Sequence, residues 1–187
     1  RNWKTIAKSI FKKEPDRDIT ESLTCLIDTD SVHLKLETLL NSVGFEYDRT
    51  TKEGRKKFRD ICYKLDVEFF KPYWDFILSK YSKEYNTFNK ISFKREKVII
   101  QKAILAKKKY IDYLIDDEGE YFSEPKLSIT GVEIKSSQTP LFCREYLENI
   151  VEDMFKFRDK DKIRLTLNEI KNDFMNQEIE KISKSSG

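Results

Sequence analysis

The sequence predicts an α+β fold: an antiparallel sheet with packed helices, followed by a helical segment. Stretches with apolar residues three and four apart indicate amphipathic helices at the start, middle and end of the chain. Two regions, 23–36 and 91–134, are instead rich in strand formers and carry tight-turn signals. Helices and strands come in blocks, which is the α+β pattern. The 187 residues include 13 Phe and 9 Tyr, enough apolar surface for a real core, so disorder is excluded.

Trp3, Ile6, Ala7, Ile10 and Phe11 fall on one helical face, and Pro15 is expected to end that helix. Leu23 to Ile27 is an apolar run, and Val32, Leu34 and Leu36 then alternate with polar residues. With Asp28-Thr29-Asp30-Ser31 between them, this reads as a hairpin with an acidic apex. A connection from Leu39 to Gly54 leads to a long helical segment, about 56–85, which Pro72 should break or kink. Strands are expected at 98–100, 110–115 and 126–134, with a turn at Asp116-Asp117-Glu118-Gly119; Gly131 inside the last strand fits a bulge or a close backbone approach. Thr139-Pro140 reads as N-cap and first residue of a helix to about Phe157, with Cys143, Leu147, Ile150, Val151 and Met154 on one face. A last helix covers about 162–182, and the tail from Ser183 is short and polar.

A net charge of +3 decides nothing about a nucleic-acid partner, because the charge is unevenly distributed. Cys25, Cys62 and Cys143 are odd in number and far apart, which indicates neither a disulfide framework nor a zinc site. No apolar run approaches a membrane span, and the N-terminus opens into a helical pattern without a signal peptide. Without an initiator Met, Arg1 reads as a processing or cloning boundary.

The chemistry is concentrated at the hairpin apex. Side chains in a strand point to alternate faces, so Asp28 and Asp30 are expected on the same side. Two neighbouring carboxylates repel unless a cation lies near them. Mg²⁺ takes one or two protein carboxylates and completes its octahedron with water and substrate phosphates. A bare Asp-x-Asp is also an ordinary acidic turn, so its flanks matter. Leu26-Ile27 leading into Asp28-Thr29-Asp30-Ser31-Val32 resembles motif C of family B DNA polymerases, a DTDS core between two palm strands. The preceding helix is similar to that of the phage branch.

Further matches follow in order. Lys94-Arg95-Glu96 stands where T-even-type phage polymerases carry Asp-Arg-Glu, with Lys94 in place of the Asp. Lys107-Lys108-Lys109-Tyr110 resembles their KKRY segment, with Lys109 replacing Arg; Lys neutralises phosphate but cannot fork onto a base edge. Between Asn89 and Tyr110 eight basic residues (90, 94, 95, 97, 102, 107, 108 and 109) face one acid, Glu96, which suits a surface that tracks a nucleic-acid backbone. Glu124 to Glu133 and then Ser136-Ser137-Gln138-Thr139-Pro140 resemble the EPKLKIMGLE and SSTP stretches that join palm to thumb, the most specific match in the chain.

The resemblance implies that residues 1–136 are the C-terminal part of a palm and 137–187 the beginning of a helical thumb. It implies a DNA-directed DNA polymerase using two Mg²⁺ ions, with Asp30 a direct metal ligand, Asp28 a weaker neighbouring ligand and Glu96 a supporting acid. Lys107, Lys108, Lys109 and Tyr110 would contact DNA. The partners would be primer-template DNA, a dNTP and the remaining polymerase segments (exonuclease, motif A and fingers) in cis or in trans, in the cytoplasm of a host cell and with no membrane role. The acidic apex is expected to share a sheet surface with residues 107–110. No motif A or fingers pattern occurs in the sequence, so the fragment alone is expected to be inactive. His33, the only histidine, reads as a packing or surface residue. Two rivals remain. A non-catalytic DNA-binding or assembly module would bind DNA through the basic strands, indifferent to Asp30. A DxD glycosyltransferase would need a nucleotide-binding α/β half ahead of the Asp pair, where only 27 residues stand.

Overall fold

The computed structural model describes residues 3–28, 30–136, 139–157 and 159–183, with only the backbone described at 135 and 157. Arg1, Thr29 of the acidic turn, Ser137 and Gln138 of the Ser-Ser-Gln-Thr-Pro run, and the tail 184–187 lie outside the described residues. The fold is α+β with antiparallel strands. The chain divides into two compact units, residues 1–98 with 116–121 and residues 99–115 with 122–187. The helices expected to form a thumb thus share a unit with strand residues that precede 136. Among the described residues no helix is long and apolar enough to cross a membrane.

In the first unit, helix α1 (Trp3–Ile6) runs into a π-turn, Ala7–Phe11. The run stops at Lys12, in the left-handed conformation, before Pro15 is reached. Ile6, Ala7 and Ile10 are buried as the periodicity predicts. Strands β1 (Thr24–Asp28) and β2 (Ser31–Leu34) form the expected antiparallel hairpin, with a bulge between Thr24 and Leu26. A short helix α2 (Glu37–Asn41) lies in what reads as a loop. It supplies buried Leu39 and Leu40, and Ser42 beyond it accepts a 2.8 Å hydrogen bond from Trp3 Nε1. An aromatic chain then runs from Trp3 through Phe11, Phe45 and Tyr47 to Phe58, the last two stacked at 4.6 Å.

Helix α3 (Lys52–Leu65) starts four residues before the periodicity suggests, because Thr51 caps it by accepting from Gly54 N at 3.1 Å. Gly54 packs tightly on the preceding turn: a Cβ there would lie 1.9 Å from the Asp48 carbonyl oxygen. Ala is the better helix former by about 1 kcal/mol. Gly54→Ala is nevertheless expected to destabilise the first unit by about 1–3 kcal/mol, the cost of overpacking against backbone. Thermal melting checks this, and a higher Tm would contradict it.

Pro72 interrupts the α-helix without ending the helical run. A π-turn, Asp66–Phe70, sits just ahead of it, and Lys71 N reaches back to the Asp66 carbonyl. Helix α4 (Lys71–Glu84) continues with Pro72 in its first turn, where its missing N–H is tolerated.

Strands β3 (Lys97–Ala106), β4 (Lys109–Asp117) and β5 (Glu120–Thr130) form a meander in chain order. Glu118 and Gly119 both have positive φ, as the tight β4–β5 turn requires. The middle strand is buried without a break from Ile111 to Asp116. The strands therefore form two sheets, and the acidic hairpin and residues 109–110, expected on one sheet, belong to different ones. The physical reason is local: a bulge distorts the short hairpin, while two tight turns make the meander self-contained.

In the second unit, β5 ends at Thr130 and a 3₁₀ turn, Glu133–Lys135, replaces the expected end of the strand. Helix α5 (Leu141–Phe157) starts one residue later than predicted: the Pro140 carbonyl accepts its first bond, from Arg144 N. The Thr139 hydroxyl donates to the Glu133 carbonyl at 2.7 Å, tying the helix start to the 3₁₀ turn. The buried face of α5 holds Phe142, Ile150 and Val151, whereas Leu147 and Met154 are exposed. Helix α6 (Lys160–Met175) is capped by Asp159, and a break at 176–178 separates it from α7 (Ile179–Ile182). Phe142 packs against Phe174 of α6, and Tyr113 of β4 stacks on Phe155 at 5.6 Å.

Candidate metal centre and nucleic-acid interface

Asp28 ends β1, pairs with Ser31 and is half-buried, and the Ser31 hydroxyl donates to the Asp28 carbonyl at 3.1 Å. Asp30 is an exposed turn residue. Strand alternation therefore does not fix its side chain beside that of Asp28, contrary to the sequence argument. His33 lies on β2 with Nε2 3.5 Å from Ser31 Oγ. Among the described residues, no three His, Cys, Asp or Glu side chains converge as a closed metal cage would. Two acids at an accessible turn fit Mg²⁺, which needs few protein ligands when a nucleotide supplies the rest.

Glu96 is exposed in an irregular stretch just before β3, and its backbone carbonyl accepts from Glu118 N at 2.7 Å. Asp28, Asp30 and Glu96 do not come together as one cluster among the described residues. The neighbours of Glu96 carry the stronger interactions. Arg95 Nη1 donates to Asp116 Oδ1 at 2.7 Å, and Lys94 pairs with Glu118 at 3.2 Å.

Sequence reasoning missed Asp116, which reads as part of a turn. It is instead a strand residue with a side chain 0% exposed. Asp116 Oδ2 accepts from Arg59 Nε at 2.8 Å and from the Tyr63 hydroxyl at 3.2 Å, and Gly119 N donates to Oδ1. The Tyr63 ring lies under both guanidinium groups, 4.4 Å from Arg59 and 3.8 Å from Arg95. Burial pushes the Asp116 carboxyl up, but the hydrogen bonds from Arg59 and Arg95 outweigh it and hold the group below its ordinary value. The available signal was the run Tyr113-Leu114-Ile115 leading into Asp116, together with Arg59 and Tyr63 one helical turn apart.

The basic stripe is thinner than its sequence. Of the eight basic residues, Lys94, Arg95 and Lys102 are in ion pairs, and the side chains of Arg95 and Lys102 are largely buried. Lys107, Lys108 and Lys109 are exposed around the β3–β4 turn, followed by half-buried Tyr110. Lys108 has φ +60°, a conformation usually left to glycine. Gly131, just past β5 and not inside it, has φ +64° and backs this turn: a Cβ there would lie 2.0 Å from the Lys108 carbonyl oxygen. The close approach expected at Gly131 is present, and its partner is the lysine turn.

No family model matches the chain, and no curated protein matches it.

Proposed function

We propose that this chain is the motif C portion of the palm and the start of the thumb of a phage-type family B DNA polymerase. It would serve template-directed nucleotidyl transfer as part of a longer or split protein. The observation that carries this reading is the seating of Gly131 on the Lys108 carbonyl. Two stretches that resemble separate polymerase segments, Lys107–Tyr110 and Glu124–Glu133, meet there at the backbone. The acidic turn adds to it, because Asp28 and Asp30 are the residues that would hold Mg²⁺. Bound ions would activate the primer 3′-hydroxyl and stabilise the triphosphate charge. The chain's own lysines would hold primer-template DNA through its phosphates.

The sequence carries half of the acid set, so the purified chain with primer-template DNA, dNTPs and Mg²⁺ is expected to extend no primer. A gel-based extension assay checks this. Extension by the pure chain that disappears in Asp30→Ala would overturn the assignment of half a site.

A further inference from the structure

We infer that Lys102 is a positioning residue that orients the Tyr110 ring for DNA, an inference resting on the DNA-binding reading above. Lys102 belongs to the basic stripe by sequence, yet its side chain is only 12% exposed. Its ammonium donates to Asp112 Oδ1 at 2.6 Å, and Asp112 is 1% exposed. The same nitrogen lies 3.8 Å from the centroid of the Tyr110 ring. One buried carboxylate thus fixes a cation, and the cation fixes an aromatic face at the foot of the lysine turn.

A buried ion pair is a weak source of stability, since well-packed apolar residues of similar volume often replace it at no cost. What an apolar pair lacks is the electrostatic attraction between an ammonium and the ring face. Lys102 is neutralised by Asp112, so it releases no counterion when DNA binds. Its contribution to affinity is therefore independent of salt, unlike that of Lys107, Lys108 and Lys109.

The test is a fluorescence-anisotropy titration of a primer-template duplex over a range of salt concentrations. The double variant Lys102→Met/Asp112→Leu removes the cation and its buried partner together. It is expected to lower affinity about three- to ten-fold with an unchanged slope of log K against log salt. Lys102→Arg alone, which keeps a cation paired with Asp112, should bind nearly as well as the unmodified chain. Tyr110→Leu tests the same idea without disturbing the buried pair, and it should lower affinity at constant slope. Wild-type affinity in Tyr110→Leu or in a folded double variant would overturn the inference. So would a slope shallower by about one, which would make Lys102 itself a phosphate contact. If the unmodified chain binds no primer-template at all, the DNA reading falls and takes this inference with it.

Discussion

Asp116→Ala is expected to destabilise the chain by about 3 kcal/mol near neutral pH, the low end for removing one partner from a buried ion pair. The variant leaves Arg59 and Arg95, whose side chains are 22% and 14% exposed, without the carboxylate both donate to. It also strips the partner from the Tyr63 hydroxyl and Gly119 N. The two guanidinium groups, both against the Tyr63 ring, then lose the carboxylate that neutralises them. Such a loss corresponds to a fall in Tm of roughly 6–12 °C for a chain of this size. Asp116→Asn keeps an acceptor and should lose less.

The effect depends on pH in a definite sense. The Asp116 carboxyl titrates below its ordinary value in the folded chain. Its stabilisation is complete above the unfolded value, about 3.9, and is lost as pH falls through the lower folded value. Wild type and Asp116→Ala should therefore differ fully at pH 7 and draw together as pH falls through the lower folded value. Equal stability at pH 7, by urea unfolding, would contradict the account of the cluster.

Replacing Lys107, Lys108 and Lys109 together by Ala is the second large expectation, and it concerns binding. All three are exposed, so the fold should survive. If each neutralises one phosphate, the slope of log K against log salt becomes shallower by roughly 2.7. Between 50 and 200 mM salt the wild type should then lose roughly 40-fold more affinity than the variant. Lys94→Ala, by contrast, removes a residue already paired with Glu118 and should change the slope little. An unchanged slope in the triple variant would show that the lysine turn does not touch the backbone of DNA.

The α+β class and the acidic hairpin were legible because both rest on local periodicity. Ile6, Ala7 and Ile10 are buried where the helical spacing puts them, and β1 and β2 flank the predicted turn. The errors arise where a distant or subtle contact decides. Asp116 looks like a turn residue until Arg59 and Arg95 are brought to it from 57 and 21 positions away. Pro72 marks a break or kink, and the α-helix does give way to a π-turn just ahead of it, but the π-turn itself is not announced by the local pattern. On α5, Leu147 and Met154 are spaced like core residues yet stay exposed.

Site residues divide in the same way. That Gly131 meets another backbone follows from a glycine amid strand formers, but that its partner is Lys108 requires the fold. The basic stripe was overcounted because sequence cannot tell a lysine held by Asp112 from one facing water. Alternation was applied one residue too far at the apex, where Asp30 leaves the strand for the turn.

The polymerase assignment depends most on whether the acidic apex binds a divalent ion, and Mn²⁺ is the probe, followed through its electron paramagnetic resonance in a titration of the whole chain. The account predicts weak, saturable Mn²⁺ binding that Mg²⁺ displaces, lost in Asp30→Asn and weakened in Asp28→Asn. Binding unaffected by either substitution, or none in the wild type, would contradict it and leave at most a lysine-based DNA-binding module.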